Sequence, residues 1–169
     1  YVIGHFHYVV APGTIFALFA GIYYWFPKIT GRKMSEALGK LHFWPSLIFM
    51  NGIFMPMFIQ GLAGVSRRLY DGGQLYAHAQ DVLQWNEFMS ISAFCLAAAQ
   101  IPFIINIFVS MFNGEKVDRN PWGATTIEWS APSPPLPHAN FEGDVEVYRG
   151  PYEYSVPGAD KDFSPQTEK

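Results

Sequence analysis

The sequence predicts an all-α integral membrane protein: three transmembrane helices followed by an extended, proline-rich C-terminal tail. Three observations carry this. All 25 Asp, Glu, Lys and Arg residues of the 169-residue chain lie outside Tyr1–Pro27, Leu41–Ser66 and Phe88–Gly114, runs of 27, 26 and 27 residues. Each run exceeds the roughly 20 apolar residues needed to cross about 30 Å of hydrocarbon, and none has the charged face of a soluble amphipathic helix. From Glu115 the composition changes: the last 55 residues hold eight of the 13 prolines and 15 of the 25 charges, netting −5. The near-neutral mean hydropathy averages these two regions. We therefore divide the chain into a transmembrane region, 1–114, and a tail, 115–169.

The first helix is expected over about residues 2–26. Pro12 lies inside it and removes the N–H that would bond the Tyr8 carbonyl, which predicts a kink that neighbouring helices can accommodate. Tyr23, Tyr24 and Trp25 mark an interfacial belt at its far end. The polar linker Lys28–Lys40 carries four cations. The second helix is expected over about 41–63, with Pro45 in its first turn, Pro56 as a kink, and Gly61 and Gly64 suited to termination or close packing. The third is expected over about 85–113, kinked at Pro102. Ser133-Pro134-Pro135-Leu136-Pro137 reads as polyproline-like, so the tail should hold at most a short helix or turn.

Composition excludes several function classes. A net charge of −3 argues against a nucleic-acid binder, and 17% aromatic residues argue against a disordered chain. The single cysteine, Cys95, forms no internal disulfide and reads as packing. Tyr1 opens an apolar run with no basic leader, which is not the pattern of a signal peptide; the chain reads as a piece of a longer or split protein. Six cations flank the first linker and the start of the tail (Lys28, Arg32, Lys33, Lys40, Lys116, Arg119), against Arg67 and Arg68 in the second loop. The positive-inside rule then puts linker and tail on the cytoplasmic side, or on the matrix side in a mitochondrion.

His5-Phe6-His7 is the most informative triplet. Histidine inside a lipid-spanning segment is costly and commonly functional. On a strand the pair would share a face and chelate one metal. On a helix, at about 100° per residue, the two imidazoles point about 200° apart and cannot share an ion. The run is too long for a strand, so each histidine has its own partner. Axial ligation of two hemes is one reading; hydrogen bonds to neighbouring helices are the other, and spacing alone leaves both open. Topology adds that Arg67 and Arg68, just past the end of helix two, share the membrane level of His5 and His7. Guanidinium groups bind carboxylates such as heme propionates in bidentate fashion. Ordinary readings serve elsewhere: a structural hydrogen bond for His42, solvated surface for His78 and His138, and helix–helix hydrogen bonds or heme-edge contacts for Asn51, Gln60, Gln100 and Asn106.

With His5-Phe6-His7-Tyr8-Val9, Leu41-His42-Phe43, Gly61-Leu62-Ala63-Gly64 before Arg67-Arg68, Trp85-Asn86, and Asn120-Pro121-Trp122-Gly123-Ala124-Thr125-Thr126-Ile127-Glu128-Trp129, the chain resembles subunit I of the heme–copper oxidases over residues 1–142. The tail pattern is similar to bacterial members of the cytochrome c oxidase type. Ala11-Pro12, Phe58 and Ser66 stand where many members have Ser-Met, His and Pro. The resemblance implies the last three of twelve helices in the catalytic subunit of a respiratory oxidase that reduces dioxygen to water and pumps protons. It implies His5 as the catalytic ligand of the high-spin heme iron and His7 as an axial ligand of the low-spin heme iron. Arg67 and Arg68 would hold propionates. It implies two hemes of the a type, with copper held outside this chain. The implied partners are the rest of subunit I, a copper-bearing subunit II, cytochrome c as donor, and lipid. A quinol oxidase of the same superfamily and a non-catalytic three-helix accessory subunit are the alternatives.

Overall fold

The computed structural model describes residues 1–141, 143–153 and 157–169. Four helices account for the apolar runs: α1 (Val2–Thr30), α2 (Glu36–Leu62), α3 (Gln84–Ala99) and α4 (Ile101–Asn113). Three helical stretches, Val2–Thr30, Glu36–Leu62 and Ala77–Asn113, are long and apolar enough to cross a membrane. At 1.5 Å per residue the 29 residues of α1 span about 43 Å. The chain forms two compact units, residues 1–21 with 35–108 and residues 22–34 with 109–169.

Helix ends depart from the expected ones for identifiable reasons. α1 runs to Thr30 rather than Phe26 because its stop is Gly31, which at φ 68° takes the left-handed position open to glycine and bonds back to the Pro27 carbonyl (2.8 Å). α2 starts at Glu36 rather than Leu41 because Ser35 is its N-cap, its hydroxyl accepting the Leu38 N–H at 3.5 Å, with Glu36 favourably placed in the first turn. Gly64, at φ 83°, closes the other end. The third expected helix is divided: Gln100 separates α3 from α4, two residues before Pro102, whose ring and missing N–H oppose a continuous ladder. α1 passes through Pro12, and α2 through Pro45 and Pro56, without interruption.

In the first unit the polar residues of the spans bond across helices. Asn106, with 0% exposure, accepts from the Ser35 N–H and donates to the Ser35 carbonyl, both at 2.9 Å. His42 donates to Gln100 (3.1 Å), which donates to the Ser46 hydroxyl (3.0 Å). In an apolar medium such unpaired groups would be expensive, so their satisfaction fixes helix register. Small residues set the α2–α3 approach: a Cβ on Gly52 would lie 2.6 Å from Ser92 Oγ.

The second unit is built on aromatic rings and one lysine. Strand β1 (Arg32–Lys33) pairs antiparallel with β2 (Glu115–Lys116), Arg32 opposite Lys116. Trp129, 1% exposed in a 3₁₀ turn over Ile127–Ser130, stacks on Trp25 (5.4 Å) and meets the Tyr24 ring edge-on (5.1 Å). Trp122 stacks on Tyr24 and donates to its carbonyl (3.0 Å). Lys28, 5% exposed, lies 5.0 Å from the Trp129 ring centre and donates to the carbonyls of Ala131 (2.7 Å) and Arg119 (3.1 Å). The tail holds little regular structure, yet its end folds back. Buried Gln166 bonds to Thr125 and Ile127 on one side and to Tyr148 and Arg149 on the other.

Candidate functional site

His5 and His7 sit in the first turns of α1 and leave it in opposite directions, as two residues at about 100° each require. His7 is half-buried. Its Nδ1 donates to the Ile3 carbonyl one turn back (2.7 Å), which leaves Nε2 as the free lone pair. A hydrogen bond of this kind fixes the tautomer and aim of a metal-binding imidazole. The Phe6 and Phe54 rings flank the His7 ring at 4.4 and 5.5 Å. Next along the chain, the Tyr8 hydroxyl donates to Asn51 Oδ1 (2.6 Å), and Asn51 donates to the Leu47 carbonyl (2.8 Å), tying this turn of α1 to α2. His5 is exposed. Among the described residues no three His, Cys, Asp or Glu side chains converge on one point. Phe58 packs its ring against Tyr1 (5.0 Å) and Tyr8 (5.6 Å).

Arg67 and Arg68 follow the cap of α2 and are exposed. They border a cavity of about 220 Å³ shared with Tyr1, Ile3, Gln60 and Gly61. Ile3 joins the two parts of the site: it borders the arginine-lined cavity and accepts the His7 N–H. The arginine pair thus lies at the end of α1 that carries the histidines. The loop behind it is ordered by Asp71, whose carboxylate accepts the N–H groups of Gly73 (3.0 Å) and Leu75 (2.8 Å), bonds that hold its pKa below the ordinary carboxylate range.

Sequence reasoning expected a helix–helix hydrogen bond or heme-edge contact from Gln60 but not its partner, and it missed one cavity. Gln60 and Asn86 form a polar bridge behind the arginines: Gln60 donates to Asn86 Oδ1 (2.8 Å) and the Val82 carbonyl (3.1 Å), and Asn86 donates to the Gly72 carbonyl (3.1 Å). The available signal was Asn86 itself, a polar residue where α3 begins. An apolar cavity of about 440 Å³ between α1, α2 and α3, bordered by Pro12, Phe19, Met50, Phe54 and Leu96, had no sequence signal at all.

Residues 1–99 match the family model for cytochrome c and quinol oxidase polypeptide I. The chain is 48% identical over 158 residues to cytochrome c oxidase subunit 1 of Synechocystis sp., an overlap of 92% of this chain and 27% of that protein. It is 46% identical over 156 residues to cytochrome c oxidase subunit 1 of Thermostichus vulcanus, covering 92% of this chain and 27% of the relative. It is 40% identical over 169 residues to alternative cytochrome c oxidase subunit 1 of Bradyrhizobium diazoefficiens, covering 99% and 29%. The chain therefore spans little more than a quarter of the length of these relatives. With a model match over more than half of its residues, the chain belongs to the cytochrome c and quinol oxidase polypeptide I family.

Proposed function

We propose that this chain supplies one wall of both heme pockets in the catalytic subunit of a respiratory terminal oxidase. The subunit reduces dioxygen to water with electrons from cytochrome c and pumps protons. The observation that carries this is the divergent pair on α1, with His7 Nδ1 committed to the Ile3 carbonyl and its Nε2 left free. Imidazole bound through one nitrogen and hydrogen-bonded through the other is the arrangement a heme iron asks for. When bound, the hemes supply dioxygen binding at one iron and electron relay at the other.

His5 ligates the high-spin iron in this reading, and His7 the low-spin iron. Phe6 leans its ring on His7 and lies between the two ligands in sequence. Arg67 and Arg68 compensate propionate carboxylates with charge-assisted hydrogen bonds. The copper ligands and the second low-spin ligand lie outside this chain, and the donor reaches the site through a copper-bearing subunit II. Cytochrome c as donor follows the names carried by the relatives, and we take both hemes to be of the a type. The six-to-two cation asymmetry supports a tail on the cytoplasmic face of a bacterial inner membrane.

Reduced-minus-oxidised and carbon monoxide difference spectra of the assembled oxidase test the assignment. His5→Ala should remove carbon monoxide binding and the high-spin signal and keep the low-spin bands. His7→Ala should disturb the low-spin bands first. Loss of the same heme's signal in both variants would contradict separate ligation.

A further inference from the structure

We propose that Gln60 and Asn86 are positioning residues for the Arg67–Arg68 pair, holding both ends of the segment that presents it. The inference rests on the reading that the pair compensates heme propionates.

Among the described residues neither guanidinium makes a hydrogen bond or ion pair within this chain, so their placement depends on the backbone that carries them. That backbone is not relaxed. Arg68 sits at φ 58°, a left-handed conformation unfavourable for a residue with a Cβ, which persists only where the surroundings impose it. Gln60 supplies the constraint at both ends. Its main-chain carbonyl accepts the N–H of Val65, two residues before Arg67 (3.0 Å). Its side chain donates to Asn86 (2.8 Å), and Asn86 donates to the carbonyl of Gly72, four residues after Arg68 (3.1 Å). The hydrogen bonds close a circuit from Gln60 through Val65, the arginines, Gly72 and Asn86 back to Gln60. Its second donor goes to the Val82 carbonyl (3.1 Å), so both amide hydrogens are used.

Gln60 is 8% exposed and borders the same cavity as the two arginines. At the end of a transmembrane helix an apolar side chain would fill this volume at less desolvation cost. A buried amide retained there, with its hydrogen bonds directed to the loop, is what positioning the loop requires. Small displacements matter, because charge-assisted hydrogen bonds weaken steeply away from their preferred distance and angle.

The test is potentiometric titration of both hemes in the assembled oxidase, paired with amide hydrogen exchange over residues 65–75. Gln60→Leu should speed exchange in that segment. It should also lower the midpoint of one heme, cutting the reduced-to-oxidised ratio three- to tenfold at the wild-type midpoint; tenfold is 59 mV for a one-electron couple. Asn86→Ser carries the same expectation should Gln60→Leu fail to assemble. Leu75→Ser, at an exposed loop position outside the circuit, should leave both potentials unchanged. Arg67→Gln and Arg68→Gln are measured in parallel. If they shift a potential while Gln60→Leu and Asn86→Ser loosen the segment without doing so, positioning is overturned and the propionate reading stands. If none shifts a potential, both fall. A shift with unchanged exchange also overturns the proposal, because the effect would not pass through the segment.

Discussion

Replacing Lys28 by Met should loosen the tail locally while leaving the helices intact. The wild-type ammonium donates to the carbonyls of Ala131 (2.7 Å) and Arg119 (3.1 Å) and lies over the Trp129 ring at 5.0 Å. Two hydrogen bonds from a charged donor are worth about 1.5–3 kcal/mol each. The ring contact adds about 0.5–2 kcal/mol. Against this stands the desolvation of a 5% exposed ammonium, several kcal/mol, which Met does not incur while it fills the volume of the stem. Ala131 is 8% exposed, so its abandoned carbonyl has little access to a replacement donor. The balance is a local loss of about 2–4 kcal/mol, which at about 1.4 kcal/mol per decade is roughly 30- to 1,000-fold. Amide exchange at Val117 and Trp129, whose N–H groups bond Gly31 and Thr126, should accelerate by that factor. Lys33→Met makes the comparison, since Lys33 lies farther from its ring (5.8 Å from Trp122) and is only partly buried; it should change exchange by less than about tenfold. Equal effects of the two substitutions, or a change under threefold for Lys28→Met, would refute the assignment of tail order to the buried ammonium.

Three further outcomes follow from other parts of the molecule. Because Asp71's acidity is raised by two backbone N–H donors, its ordering of the loop should be complete above about pH 4 and fade as pH falls through its lowered native value. Exchange at Gly73 and Leu75, corrected for intrinsic rate, should show this acid limb, and Asp71→Ala should abolish it. Gly52→Ala should cost about 1–3 kcal/mol by pressing a methyl to 2.6 Å from Ser92 Oγ, read as a lower thermal midpoint of the purified oxidase, with Ser92→Gly restoring most of it. A reporter fused after Gly114 should read cytoplasmic and one within residues 69–84 periplasmic, from the cation asymmetry.

What the sequence made legible depended on the range of the interaction. The spans were readable because charge exclusion by hydrocarbon acts on every residue of a run. The divergence of His5 and His7 was readable because it needs only helix pitch. The start of α2 was legible in principle, since Ser35 before Glu36 is an N-cap signal, but the charges at Glu36 and Lys40 masked it. Pro102 announced a disturbance in the third span; the partners that Gln100 finds at the break, His42 and Ser46, lie 58 and 54 residues away and were not legible. The fold-back of Gln166 and the choice of Asn86 as the partner of Gln60 were beyond reach for the same reason. A neutral amide carries no periodicity, and its partners are set by tertiary proximity. The aromatic belt at Tyr24 and Trp25 was foreseen as a lipid interface, whereas its rings also seat Trp122 and Trp129 of the tail.

The most direct test of the central claim is a structure of the assembled oxidase that resolves the metal centres around α1. His5 Nε2 and His7 Nε2 should be bonded to two different heme irons on opposite sides of the helix, with His7 Nδ1 still donating to the Ile3 carbonyl. Both histidines on one metal, or either one bonded only to neighbouring protein groups, would contradict it.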